Sequence, residues 1–250
     1  LRRVVSAGRL TLVASGTRST QHAACSRGTR SLVFASSPMH VPPPFAEPDP
    51  AVMLAFVEAH PLGALVTPSA AGLVATHLPF VVERERGAHG TLHGHVARAN
   101  PQAVPGTATE GLVIFAGPSA YVSPGHYESK RRHGRVVPTW NYVAVHAPGV
   151  ARFVDDAEFV LRNVEALTRR HEAARPVPWA VGDAPPEYVR QLLGATVGVA
   201  VEIARLEGQW KLSQNRPSAD VDGVVAGLGA SADPADRAVA ALVAGRRPDR

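Results

Sequence analysis

The chain of 250 residues has a single cysteine, Cys25. A disulfide framework, a CxxC pair and a cysteine-based metal cluster are therefore excluded within one chain. No window approaches 18 consecutive apolar residues, so no transmembrane helix is expected. Together these absences point to the cytoplasm. No GxGxxG opens a helix and no strand–helix–strand pattern recurs, which argues against a doubly wound nucleotide fold. HEXXH and Gly-x-Ser-x-Gly are both missing. With Cys25 in a segment set aside below, nucleophilic catalysis has no candidate. There is no helix-turn-helix signal and no internal repeat.

Acid is the next absence. Residues 1–38 hold six arginines and no Asp or Glu. The formal net charge of +5 comes from this segment: the other 20 cations face 21 anions, a net of −1. The remaining chain thus carries no global nucleic-acid signature. The Arg- and Ser-rich, acid-free segment resembles a mitochondrial-type transit peptide. The simpler reading is an over-long start with Met39 as the natural initiator. The expected organisation is a disordered or non-native extension over 1–38, a domain over 39–228 and a C-terminal helical tail over 229–250.

What is present begins with capped helices. Asp49-Pro50 starts a helix that Pro61 stops. Residues 62–67, 73–82 and 90–97 read as strands, and Leu112–Ala116 as a short buried strand punctuated by Gly117-Pro118. Residues 142–154 read as two strands around Ala147-Pro148-Gly149. Residues 156–172 take helical period, a second helix starts near Pro185, and 197–206 alternates as a strand. Helical pieces near 218–228 and 234–245 close the chain. Short strands in meander order with late helices argue for an antiparallel barrel with peripheral helices, mainly β in an α+β class.

Two runs carry the chemistry. The first is Tyr121-Val122-Ser123-Pro124, then Ser129-Lys130-Arg131-Arg132-His133-Gly134-Arg135-Val136-Val137-Pro138-Thr139-Trp140-Asn141-Tyr142; the second is Trp210-Lys211-Leu212-Ser213-Gln214-Asn215-Arg216. Both combine cations, amides and aromatics, which suits a ligand with an anionic end and a flat polar ring. They look like two walls of one site. The basic turn 129–135 has three readings: a phosphate grip, a contact to DNA phosphates, or a solvated loop. Strand alternation puts Trp140 and Tyr142 on one face and Asn141 on the other, so the aromatics are either ring contacts or core. It also puts Lys211, Ser213 and Asn215 on one face, as a binding wall or as an exposed edge. His93 and His95 share a strand face, with His77 on a preceding strand. That is a metal pair without an evident third ligand, and ligand contact or ordinary hydrogen bonding is the other reading. Arg98 and Asn100 are phosphate donors or a helix cap ahead of Pro101.

Four ordered stretches, 94–101, 115–124, 133–142 and 206–216, resemble the PaiB-type FMN-binding negative transcriptional regulators. The likeness runs from Met39 to about Leu228. One departure is Gln209, where the family motif has Lys. The resemblance implies a flavin-reductase-like, FMN-binding split β-barrel and a homodimer with FMN at the subunit interface. It makes Arg98, Lys130 and Lys211 the phosphate or ring-edge cations. His77, His95, Asn100, Trp140, Asn141, Ser213, Gln214 and Asn215 become the remaining cofactor-site candidates. The family function is negative regulation of transcription, with any DNA contact confined to a local patch such as 129–135. The competing function is a flavin-dependent oxidoreductase using NAD(P)H, in which the cofactor carries the redox step and no protein acid or base is obligatory. A weaker alternative is ligand storage with His77 or His95 as an axial haem ligand.

Overall fold

The computed structural model describes residues 37–70 and 72–246. The expected extension therefore lies almost wholly outside the described residues. The elements in chain order are β1 (Ala46–Glu47), α1 (Pro50–Ala59), β2 (Leu62–Ser69), β3 (Gly72–Pro79), β4 (Val81–Glu83), β5 (Thr91–Ala97) and β6 (Ala108–Val122). There follow α2 (Glu128–His133), β7 (Thr139–Val154), α3 (Ala157–Glu172), α4 (Pro186–Gly194), β8 (Thr196–Ile203), β9 (Glu207–Lys211), α5 (Ser218–Gly229) and α6 (Pro234–Gly245). Among the described residues no helix is long and apolar enough to cross a membrane.

Helix starts follow the sequence closely because each has its own chemistry. The Asp49 carboxylate accepts from Ala51 N at 2.8 Å, with Pro50 at the first helical position. Asp156 caps α3 through Glu158 N and Phe159 N. Asp233-Pro234 repeats the device on α6.

The strands form one antiparallel sheet in the order β3-β2-β6-β7-β8-β5-β4, with β9 joining β7 to β1. Its inward face is a single core in which Leu65, Val113, Phe115, Val145, Val199 and Val201 are fully buried. Each such side chain contributes on the order of 1.5–3 kcal/mol by leaving water. α3 covers the outside of β5 and β8, where Phe159 lies over Gly198. α5 and α6 pair with each other, and α6 lies on β6. Val239, Ala240 and Val243 of α6 join the same core, and Arg246 just beyond it reaches the buried Glu47 of β1.

Four expectations are corrected. The strand placed at 112–116 spans fifteen residues, because Gly117-Pro118 is a bulge and not a stop: the register moves from Ala116↔Ala144 to Ser119↔Tyr142. The extra residue keeps Ser119 and Tyr121 on the same face as Ala116. The two strands placed at 142–154 are one, β7. Its supposed turn is where β7 changes partner, since β9 pairs up to His146 and β8 from Gly149. Pro148 falls in that gap, where a missing N–H is tolerated. The strand placed at 73–82 breaks at Phe80, whose N–H turns to Pro61 O at 2.9 Å. The basic turn 129–135 is largely helix α2, closed by Gly134 at φ 70°.

The turn that leads into α2 is seated on α5 by close approach. A Cβ on Gly223 of α5 would collide with the His126 carbonyl, and one on Gly227 with the His126 ring. Gly223→Ala should lower stability by about 1–3 kcal/mol through overpacking. Gly182→Ala, where a Cβ meets no atom within 4 Å, serves as the neutral control in the same chemical denaturation series.

Candidate functional site

The two sequence runs meet. Asn141 of β7 is fully buried, and its Nδ2 donates to Ser213 Oγ at 2.9 Å. One residue on, Tyr142 pairs in register with Lys211, whose Nζ lies 5.9 Å from the Tyr142 ring centroid. The Tyr142 hydroxyl donates to Gln209 Oε1 at 2.9 Å. Gln209 thus occupies a working position where the related motif has Lys. The Arg216 guanidinium stands over the Tyr127 ring at 4.8 Å, and Ser129 N donates to the buried Asp220 of α5 at 2.8 Å.

Alternation through the second run fails after β9, and this is a further correction. β9 ends at Lys211, and Ser213 takes φ 66°, a left-handed conformation uncommon outside glycine. Lys211 is half-buried, Ser213 buried and Asn215 exposed, so the three share no wall. Gln214 folds back on its own turn, accepting from Leu212 N at 2.7 Å and donating to Trp210 O. Asn141, Ser213 and Gln214 therefore shape the site from beneath. Trp140, Lys130, Asn215 and His77 are exposed.

The exposed side chains define a face. Tyr121 and Trp140 are cross-strand partners, each about half exposed, with ring centroids 6.2 Å apart. Alternation puts Tyr142 and Lys211 on the same outward face. The face continues along the sheet through Ala116, Ala144, Ile114, Ala64 and His146, and reaches His77 on β3 by register (His77↔Ala64↔Ile114↔His146). Small residues in its middle leave the sheet open to close approach by a flat ring. The aromatic strip supplies stacking surface and Lys211 a cation, while Lys130 is exposed on α2. Tyr121 opens the first of the two runs, but the sequence alone assigns it no contact. Only the β6–β7 register, with its bulge, puts it beside Trp140.

Other candidates lie elsewhere. The Arg98 guanidinium is held by Asp155 at 2.5 and 3.2 Å and donates to Gly194 O at 2.8 Å. That hydrogen bond raises Arg98 and lowers Asp155 from their ordinary values. Asn100 donates to Thr76 Oγ1 at 3.0 Å and caps the following turn through Gln102 N. His95 Nδ1 bonds Asn163 Oδ1 of α3 at 2.7 Å, and His93 Nε2 lies 2.9 Å from Glu83 Oε2. Both imidazoles thus face α3, away from the aromatic strip. Among the described residues no group of three or more His, Cys, Asp or Glu could hold a metal ion.

Comparison with known proteins bears on the family and the fold. Residues 39–205 match the family described as "Putative FMN-binding domain". The protease synthase and sporulation protein PAI 2 of Bacillus subtilis is 30% identical over 206 residues, covering 82% of this chain and 96% of that protein. An uncharacterized protein of Aspergillus fumigatus is 35% identical over 219 residues, covering 69% of this chain and 84% of its own length. Among solved structures, an FAD and heme binding protein from Mycobacterium smegmatis aligns with a TM-score of 0.50 at 15% identity, covering 71% of this chain and 78% of that one. That likeness bears on the fold, which is the flavin-binding type of split β-barrel expected from the sequence.

Two outcomes follow from the site's geometry. Ser213→Ala removes the acceptor of a buried amide and should cost about 1–3 kcal/mol, read as a lower urea midpoint at unchanged slope. Burial holds His146 and His93 below the usual imidazole value, against the opposing Glu207 and Glu83 carboxylates. Their contribution is complete above about pH 6.5, where the unfolded imidazole is neutral. It is lost as pH falls from there through the lowered folded values, because the unfolded chain takes up protons first. Melting temperatures between pH 8 and 5 should fall accordingly, and His146→Gln should make the decline shallower.

Proposed function

We propose a function for this chain, which belongs to the PaiB-type FMN-binding domain family: it is a homodimeric flavoprotein that acts as a negative regulator of transcription. FMN is the cofactor of the family. The observation that carries the reading is the outward strip Tyr121–Trp140–Tyr142–Lys211, built over the buried Asn141–Ser213 pair.

The residues present fit the cofactor. The aromatic faces and the small residues Ala116 and Ala144 suit the planar ring. Lys211 is placed for the ring edge or the phosphate, and Lys130 on the neighbouring helix for the phosphate. Asn141, Ser213 and Gln214 hold the β7–β9 junction in shape and keep the strip in register. When bound, FMN supplies reversible electron and hydride acceptance. The protein's part is orientation and exclusion of water.

The homodimer reading is supported by the same sheet face. It carries Leu62 and Leu73, 61% and 79% exposed, beside Ala64, Val66 and Ile114. A second copy laid on that face would bury the apolar strands and close over the strip by two-fold symmetry. The regulatory reading rests on the likeness of the four motifs to PaiB-type regulators, and on α2. Glu128 pairs with Arg131 and Arg132. Lys130, His133 and Arg135 are exposed in and just after α2, a local cationic patch able to meet DNA phosphates. An oxidoreductase reading is favoured by one feature, the exposure of the strip to a second small molecule such as NAD(P)H.

The deciding experiment is an absorbance spectrum of the full chain titrated with FMN, followed by an NAD(P)H oxidation trace and a gel shift with promoter DNA. A flavin band, slow turnover and a shifted fragment are expected. Fast turnover without a shift would replace the regulator by the enzyme, and no flavin uptake would remove both. Lys211→Ala should weaken FMN binding by about 1.5–3 kcal/mol if its ammonium makes a charge-assisted bond. Unchanged affinity would take Lys211 out of the site.

A further inference from the structure

A second concavity lies outside β5 and β8, and the FMN reading makes no use of it. α3 and α4 enclose a cavity of about 290 Å³ with the 181–183 turn above it. Its walls are apolar: Val160 and Val164 from α3, Leu192 from α4, and Trp179 and Tyr188. Trp179, Tyr188 and Leu192 are each about half exposed, and α4 buries none of its residues. Three large apolar side chains thus converge on one hollow without filling it. That is the makeup of a small-ligand site and not of a finished core.

The polar group in this lining is positioned, not accidental. His95 contributes its ring to the cavity. Its Nδ1 is engaged by Oδ1 of Asn163, a residue 4% exposed. A carbonyl oxygen accepts, so Nδ1 carries the proton of this bond, which makes Nε2 the acceptor of a neutral imidazole. Nε2 has no partner among the described residues. Thr196 in the lining already donates its hydroxyl to Leu192 O at 2.8 Å, and the half-exposed Tyr188 and Trp179 bring their rings together with a hydroxyl and an indole N–H. The site therefore offers one imidazole acceptor anchored by Asn163 in a mainly apolar hollow. A volume near the low end of ligand pockets, which span roughly 300–1,000 Å³, suits one ring or two fused rings. It leaves no room for a tetrapyrrole, so the axial-haem alternative for His95 finds no support in this cavity.

We propose that the α3–α4 cavity binds a small aromatic compound bearing a single N–H or O–H donor, of the indole or phenol class, with the donor on His95 Nε2. The site is separate from the aromatic strip, and occupancy of either is read independently of the other.

The test uses the full chain and indole as probe, with 1-methylindole as the isostere that lacks the donor. Amide chemical shifts are followed by NMR during titration. Saturable binding of indole is expected, with shifts confined to β5, α3 and α4, and binding of 1-methylindole weaker by about tenfold. Val164→Phe, which fills the cavity with an apolar group, should abolish indole binding and leave the FMN titration unchanged. His95→Leu should bring the two probes to equal affinity. Because these variants could perturb folding, each is checked by thermal melt, and the two-probe comparison on the unaltered chain stands without them. Absence of saturable indole and phenol binding up to their solubility limits would overturn the proposal. Equal affinity for the two indoles in the unaltered chain would overturn the role of His95 and with it the ligand class. Concentration-dependent shifts of α4 without probe, removed by Leu192→Glu, would assign the face to a protein contact instead.

Discussion

Strand β7 is the constraint on which the remaining architecture depends. Along one edge it is hydrogen-bonded to β6 almost throughout, and along the other first to β9 and then to β8. One continuous strand thereby fixes the relative positions of the aromatic strip, the sheet beneath it and the face that α3 covers. A one-residue slip in its register would exchange buried Asn141, Val143 and Val145 for Trp140, Tyr142 and Ala144. The bulge at Gly117-Pro118 absorbs the extra residue of β6 and prevents such an exchange. Gly149 marks the handover between partners, where a Cβ would collide with the Glu202 carbonyl of β8.

The polar residues of the two motifs divide their labour by depth. Asn141, Ser213 and Gln214 satisfy one another or nearby backbone, which makes them support for a surface that other side chains present. A buried amide without its hydroxyl partner would be costly, so the strained Ser213 backbone is held in place by what surrounds it. Trp140, Tyr121, Lys130 and Lys211 do the presenting. The proposed FMN site rests on this combination: a rigid floor beneath a flat apolar wall with a cation at its edge.

The far side of the barrel shows the same economy with histidines. His93 and His95 alternate onto one face of β5 and both are drawn to α3, but into different environments. His93 lies among charged residues with Glu83, while His95 is tied to Asn163 beside an apolar hollow. Imidazoles two residues apart in the chain thus end in separate concavities, and neither belongs to the aromatic strip. Arg98, three residues beyond His95, is drawn to Asp155 and to the C-terminal end of α4, where it fastens the β5 exit to the α4–β8 connection.

By itself the sequence determined the helix starts, because Asp and Pro act within three residues of where they stand. It determined the class of fold and the two motifs that face one another, because alternation and residue chemistry are local properties. Asn141 opposite Trp140 and Tyr142 was readable in this way, and the structure keeps that division. Continuity of β6 and β7 was not readable: Gly117-Pro118 and Ala147-Pro148-Gly149 have the composition of turns, and only neighbouring strands supply the hydrogen bonds that carry the chain straight through. The placement of Tyr121, the burial of Ser213, the capture of Arg98 by Asp155 and the turning of His95 toward Asn163 all join residues 57 to 72 positions apart or depend on a register set by contacts between distant strands. Tertiary structure decided them, because a side chain's partner is chosen by packing, and packing is not encoded in the spacing of residues along the chain.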